Sequence, residues 1–415
     1  MLLPSTYLRR KFRTLFMSDV TPSSTLARLE HSWSPRKTLR RLQTHRWTTA
    51  DLQYFVDFVI ACFAFFVAAD VSVWLRLGIT IGFATLLLLP VTSQFFFPFV
   101  PIATWLVLFF TCRFIPEDWR PGIWVRVLPS LETILYGGNL SNILAAHTSS
   151  VLDILAWIPY GLFHFGGPFV VSILAFLFAP PGTLPVFARS FGYMNLIGVS
   201  IQILFPTSPP WYENLYGLQA ANYGVPGSPG GLARVDLILG LDLYTSSFTA
   251  SPLVFGAFPS LHSGCAVLEC LFMAHIFPRL TPVFLSYVLW IWWSTMYLTH
   301  HYFIDLIGGA ILSATVFYGV SRRYLPEIQF DKQSRWSYDY IELANLRRLP
   351  TKARLTKEFD ADDVWTPSSF FSGDDTSPLD SPVSEWEIET LADESAAAQI
   401  DEFNRPLVNQ HSYNR

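Results

Sequence analysis

Charge is what this sequence lacks. Only 14% of its 415 residues are Asp, Glu, Lys or Arg, where a soluble domain carries about 25%. Between positions 48 and 321 there is not one lysine, and only seven arginines and twelve acidic residues. Hydrophobic residues make up 51% of the chain, with 36 Phe and 14 Trp among them. Such a chain cannot cover a soluble fold with polar side chains, so the two or three soluble domains its length would allow are excluded. A lipid bilayer is the solvent it suits. Cysteine is scarce as well. Cys62, Cys112, Cys265 and Cys270 fall in or beside apolar runs, without the spacing of a metal knuckle or the density of a disulfide framework. No apolar run precedes residue 53, so a cleaved signal peptide would lack its hydrophobic region.

The charge that is present sits at the ends. Residues 1–47 hold ten Lys/Arg against two Asp/Glu, whereas residues 358–415 hold two against fourteen. The chain therefore divides into a basic N-terminal region over 1–50, a transmembrane body over 51–325 and a largely disordered acidic tail over 326–415. A nucleic-acid partner is not expected, because the basic footprint is confined to the short head. An Arg- and Ser-rich head can serve as a mitochondrial transit peptide. The preferred reading is the cytoplasmic flank of a first membrane helix.

A helix needs about 20 mainly apolar residues to cross a bilayer. Segments 53–70, 73–91, 95–115, 151–178, 186–205, 260–278, 281–299 and 302–321 meet or approach that requirement. The expected fold is thus an all-α polytopic membrane protein with about eight transmembrane helices. Pro90, Pro98 and Pro101 crowd the turn between the second and third, and Pro159 with Gly166-Gly167 predicts a kink in the fourth. The basic head, Arg189, Arg279 and Arg322-Arg323 fall on one side if the count is even, which puts both termini in the cytoplasm and loops 116–150 and 206–259 in the lumen. Asn139-Leu140-Ser141 is a sequon in the first of these loops, a triplet that mostly arises by chance.

Two segments at lumenal membrane edges carry chemistry. Phe258-Pro259-Ser260-Leu261-His262-Ser263-Gly264 reads as a helix start, with Ser260 and Ser263 as natural caps. A helix start offers unpaired N–H groups and a positive dipole end to a phosphate. Thr299-His300-His301-Tyr302-Phe303-Ile304-Asp305 opens the last span. His301 and Asp305 are four apart, which on a helix puts them on one face. A carboxylate on one ring nitrogen leaves the other free as nucleophile or base, and an ionisable group in a membrane-embedded turn is costly and usually functional. Zinc ligation by His262, His300, His301 and Asp305 is disfavoured, since no paired ligand spacing supports it. No metal or cofactor is expected.

The segments PSLHSG and HHYFIDLIGG resemble the second and third motifs of the type-2 phosphatidic acid phosphatase superfamily. A closer resemblance is to the fungal inositol phosphorylceramide synthase catalytic subunits, supported by Phe205-Pro206-Thr207-Ser208-Pro209-Pro210-Trp211-Tyr212 and by Gly231-Leu232-Ala233-Arg234-Val235-Asp236. It covers roughly residues 50–325 and implies a six-helix catalytic core. It also implies that His301 attacks phosphorus, that Asp305 orients it and that His262 acts as the acid. Ser260, Ser263, Gly264 and Arg234 would bind the phosphate. The implied reaction moves phosphoinositol from phosphatidylinositol to ceramide in a Golgi membrane, beside a small regulatory membrane subunit. Direct displacement with His301 as base is an alternative to a phosphohistidine.

The departures from the phosphatase pattern point the same way. Those phosphatases carry an Arg six residues before the third-motif His, where this chain has Thr295, and a Lys and an Arg in a first motif here replaced by the uncharged FPTSPPWY. A phosphomonoester dianion needs several cations in its transition state, and a diester needs fewer. A lipid phosphate phosphatase is the rival within the same fold. A channel with a pore-lining His–Asp pair would not need a capped helix start. The orientation has a direct check. A glycosylation tag placed within 206–259 should be modified and one after Arg323 should not; a modified tail tag would reverse the topology.

Overall fold

The computed structural model describes residues 29–45, 47–338, 341 and 343, so the head before residue 29 and the acidic tail from 344 lie outside the described residues. The regular elements there are helical, and strand-type pairing is confined to isolated bridges. A helix occupies each of the eight apolar segments: α1 (Leu52–Val67), α2 (Val73–Leu88), α3 (Pro90–Thr111), α4 (Ser150–Phe178), α5 (Thr183–Leu204), α6 (Leu261–Ile276), α7 (Thr281–Tyr297) and α8 (Phe303–Ser321). Three of these, α3 with its extension to Phe114, α4 and α8, are long and apolar enough to cross a membrane on their own. With the shorter apolar helices beside them, the chain is an all-α, multi-span membrane protein.

Local chemistry explains the boundaries. Before α1, the Asp51 carboxylate accepts the Thr48 N–H at 2.8 Å and closes a capping box. Helix α3 begins at Pro90 rather than at 95, because a proline at the first helical position loses no hydrogen bond. Pro98 and Pro101 therefore lie inside the helix and not in the turn. Pro101 meets α5 at Gly192, where an added Cβ would stand 2.5 Å from the Ile102 nitrogen. The irregularity expected in α4 falls at Ile158–Phe163, a single π-helical turn containing Pro159 and Gly161, while Gly166-Gly167 continues in regular helix. Such turns re-aim side chains and recur at functional sites.

Helix α5 is the most enclosed, buried along most of its length between α3, α6 and α8. Its Phe187, Phe191 and Met194 meet Leu268 and Phe272 of α6 in the largest apolar cluster. Helices α6 and α8 approach each other closely. An added Cβ on Gly309 would lie 2.1 Å from the Ser260 carbonyl. Ser313 Oγ donates to the Gly264 carbonyl at 2.5 Å and Ser263 Oγ to that of Leu306 at 2.7 Å. Small residues and interhelical hydroxyl bonds are the usual means of joining helices in lipid.

Short helices fill the loops expected on the lumenal side. In the first, Val127–Tyr136 and Leu140–Ala145 lie against the α7–α8 end. The sequon is occupied by structure: Asn139 Oδ1 caps Leu140–Ala145 at the Asn142 N–H, its Nδ2 donates to Glu213, and Ser141 is fully buried on the Met296 carbonyl. Beyond α8 the ordered chain continues. Leu325 and Ile341 join the main cluster, His275 bonds the Pro326 carbonyl at 2.9 Å, and buried Arg335 sits 4.2 Å over the Phe176 ring.

The α6–α8 contact predicts a steep local sensitivity. Gly309→Val should lower thermal stability in detergent by about 1–3 kcal/mol, the usual cost of overpacking. Gly319→Val on the same helix, where nothing lies within 4 Å, should change it little. Equal effects would mean that the crossing is not tight.

Candidate active site

The two motif histidines meet at the starts of α6 and α8. Ser260 caps α6, its Oγ accepting the Ser263 N–H at 3.3 Å, and places His262 in the first turn. Helix α8 starts only at Phe303, so His301 precedes it, and the shared helical face expected from the spacing is not what joins His301 to Asp305. Asp305 instead is the third residue of α8 and reaches back. Its Oδ2 accepts the Tyr302 N–H at 2.9 Å and stands 3.5 Å from His301 Nδ1. That is ion-pair range without a hydrogen bond, and Asp305 Oδ1 has no partner either. The other nitrogen, His301 Nε2, lies 3.1 Å from His262 Nδ1.

The turn before His301 is unusual. Thr299, a β-branched residue, has φ of 62° in the left-handed region, a conformation that costs roughly 1–3 kcal/mol and persists only where surroundings enforce it. Here the Thr295 carbonyl accepts the N–H groups of His300 and His301 at 2.9 and 3.4 Å, and the Thr299 carbonyl accepts from Trp211 at 3.0 Å. Trp211 belongs to the FPTSPPWY segment, which is buried from Pro206 to Tyr212. Thr207 Oγ1 accepts the Phe258 N–H at 3.0 Å, and bridges from Trp124 through Thr207 to Gly256 tie the segment to both loops. It is therefore a brace beneath both histidines.

Two residues that sequence reasoning passed over complete the cluster. The π-turn of α4 stacks Tyr160 on His262 and His300, with ring centroids 4.5 and 5.2 Å apart. It also sets His164 with its ring 4.4 Å from that of His262. The available signal was an ionisable residue inside an apolar run. His300 turns away and bonds the Pro229 carbonyl at 3.1 Å, beside Phe248. Burial pushes the His301 imidazole down to about 4; burial, with the His301 ring beside it opposing a second positive charge, pushes that of His300 down to about 3. Both rings are held neutral, the form that can attack or accept.

The expected phosphate binders are placed differently from one another. Ser260, Ser263 and Gly264 are buried in the α6–α8 contact. Ser263 Oγ donates to Leu306 and accepts from Trp292 Nε1 at 2.8 Å. What the helix start still offers is the first-turn N–H of Leu261 and of His262, which lack a carbonyl four residues back within the helix. Arg234 is bound to Asp153, with its Nε 2.9 Å from Oδ1, and Tyr297 donates to the same oxygen at 2.9 Å. Burial opposes the Arg234 charge, but the bond and the Coulomb pull of Asp153 outweigh it and raise the guanidinium above its ordinary value. Two more carboxylates flank α8: Glu132 accepts the Ile304 N–H at 3.2 Å and Glu213 the Tyr302 hydroxyl at 3.0 Å. Among the described residues no group of three or more His, Cys, Asp or Glu is arranged to hold a metal ion.

Comparison with known proteins fits this geometry. A model described as the PAP2 superfamily matches residues 124–319. Inositol phosphorylceramide synthase of Candida albicans is 51% identical over 338 residues, 81% of this chain and 72% of its own length. The inositol phosphorylceramide synthase catalytic subunits of Schizosaccharomyces pombe and Saccharomyces cerevisiae are 54% and 50% identical. They cover 76% and 80% of this chain and 74% and 82% of their own lengths. No solved structure matches the chain.

Asp305 has two separable tasks, and substitutions should split them. Asp305→Asn keeps an oxygen for the Tyr302 N–H, so folded yield and thermal stability should hold. Asp305→Ala loses the cap as well and should be less stable than the Asn variant by about 0.5–2 kcal/mol. Equal stability of the two would show that the cap contributes nothing.

Proposed function

This chain belongs to the inositol phosphorylceramide synthase family within the PAP2 superfamily, and we infer that it transfers phosphoinositol from phosphatidylinositol to ceramide. The products are inositol phosphorylceramide and diacylglycerol. The observation that carries the mechanism is the line Asp305, His301, His262, with gaps of 3.5 and 3.1 Å. With Nδ1 protonated toward Asp305, His301 Nε2 presents a lone pair. His262 Nδ1–H then donates to it in the resting site.

A phosphodiester entering here parts the two rings. His301 Nε2 attacks phosphorus, the bond to diacylglycerol breaks, and the departing oxygen takes the His262 proton. In the second step His262 removes the proton of the ceramide primary hydroxyl, whose oxygen displaces His301 from phosphorus. The first-turn N–H groups of α6 and the Arg234 guanidinium bind the phosphate oxygens in this reading. The sparse cationic surroundings favour a diester. The position occupied by Arg in the phosphatases is Thr295, fully buried with its hydroxyl on the Trp292 carbonyl at 3.0 Å.

The proposed topology has eight spans with both termini cytoplasmic and the site lumenal, in a Golgi membrane beside a small regulatory subunit. It is supported by the alternation of helix ends. The starts of α6 and α8 and the end of α7 meet at the histidines, while the head contacts the α2–α3 turn at the opposite ends of the helices.

Purified chain given inositol-labelled phosphatidylinositol and ceramide should form labelled inositol phosphorylceramide on a thin-layer plate. Phosphate release from phosphatidic acid instead would favour the phosphatase reading. His262→Ala should abolish turnover of natural lipids yet recover the first step, read as a burst of phenol, on an inositol phosphodiester with an acidic phenol leaving group, which departs without a proton. His301→Ala should recover on neither. Rescue of His301→Ala alone would mean the two roles are reversed.

A further inference from the structure

The mechanism leaves unused a basic amphipathic helix ahead of the first apolar one. Pro35–Thr44 carries Arg36, Lys37, Arg40 and Arg41. Among the described residues Glu30 faces this set, pairing with Lys37 and standing 3.8 Å from Arg41. Among the described residues no carboxylate pairs with Arg36 or Arg40. Ser34, Arg36, Lys37, Arg40, Arg41 and Thr44 line an open cleft of 490 Å³. In the same stretch of chain Trp33, Leu39, Leu42 and Trp47 are exposed, with Trp33 and Trp47 at 70% and 73%.

This helix is anchored at a fixed height on the membrane body. Gln94, in the first turns of α3, accepts the Glu30 N–H and donates to the Glu30 carbonyl, both at 2.9 Å, and Val91 N–H donates to the Ser32 carbonyl at 3.0 Å. The helix is thereby tied to the α2–α3 turn, where the apolar segments end. Cations and two exposed leucines on one short helix at that level, with an exposed indole on either side of it, are the composition of an in-plane interfacial helix.

We propose that Pro35–Thr44 is a docking surface for the anionic headgroups of the bilayer, with Arg36 and Arg40 over the phosphates and Trp33, Leu39, Leu42 and Trp47 in the interface. Charge complementarity selects the occupant: Arg36 and Arg40, which no carboxylate among the described residues pairs with, fit an anionic lipid surface. The indoles and leucines fit a bilayer better than an acidic, solvated peptide. Each cation near such a surface adds to the attraction, so the helix would hold the first span and the α2–α3 turn in register with the membrane.

Hydrogen exchange on the full chain in nanodiscs tests this. Amides of residues 36–44 should exchange roughly tenfold more slowly in discs containing phosphatidylserine than in phosphatidylcholine alone. The double variant Arg36→Glu/Arg40→Glu should lose that difference while keeping its turnover in detergent. The wild-type comparison stands even if the variant folds poorly. Equal exchange in both discs would overturn the proposal. So would protection in neutral discs that disappears when residues 344–415 are removed, since that would assign the face to the acidic tail.

Discussion

The close approach of α6 and α8 governs the rest of the site. Their backbones come so near that Gly309 has no room for a methyl group against the Ser260 carbonyl. The Ser260 N–H donates to the Asp305 carbonyl at 3.0 Å, and the serines of each helix bond carbonyls of the other. Lipid gives no hydrophobic drive between helices, so tight packing and interhelical hydrogen bonds must supply the association. With both helix starts fixed, His262 and His301 are within 3.1 Å as a consequence of backbone geometry. The strained turn at Thr299 and the Trp211 brace then set which way His301 faces.

Charge at this site is sparing and one-sided. Asp305, Glu132 and, through Tyr302, Glu213 surround the start of α8, where N–H groups and the helix dipole offset their charge. The cation in the adjoining loop, Arg234, is already matched by Asp153. A monoanionic diester suits that balance better than a dianionic monoester. The choice of substrate thus rests on the same few residues that shape the site.

The histidines and Asp305 were legible in the sequence because each lies in a short segment with its own helix-start chemistry. Their meeting was not, since it depends on the packing of α6 against α8 over a separation in sequence. His301 was misplaced onto the helix because a spacing of four reads as helical, whereas the Asp305 capping box shows that α8 starts after it. Tyr160 and His164 were invisible to a 3.6-residue pattern, because a π-turn brings them to the site. The serines of PSLHSG looked available for phosphate as long as their partners on α8 were unknown. The α3 start moved to Pro90 for a simpler reason: a proline at a first helical position starts a helix as readily as it ends one.

The most direct test of the His301 nucleophile is to interrupt the reaction after its first step. Full-length protein incubated with inositol-labelled phosphatidylinositol and no ceramide should release diacylglycerol in stoichiometric amount. It should also retain label through an acid-labile, alkali-stable bond on the peptide bearing His301, and ceramide should discharge that label into inositol phosphorylceramide. Label recovered on His262, or product formed from ceramide with no diacylglycerol released beforehand and no label ever bound, would contradict the account.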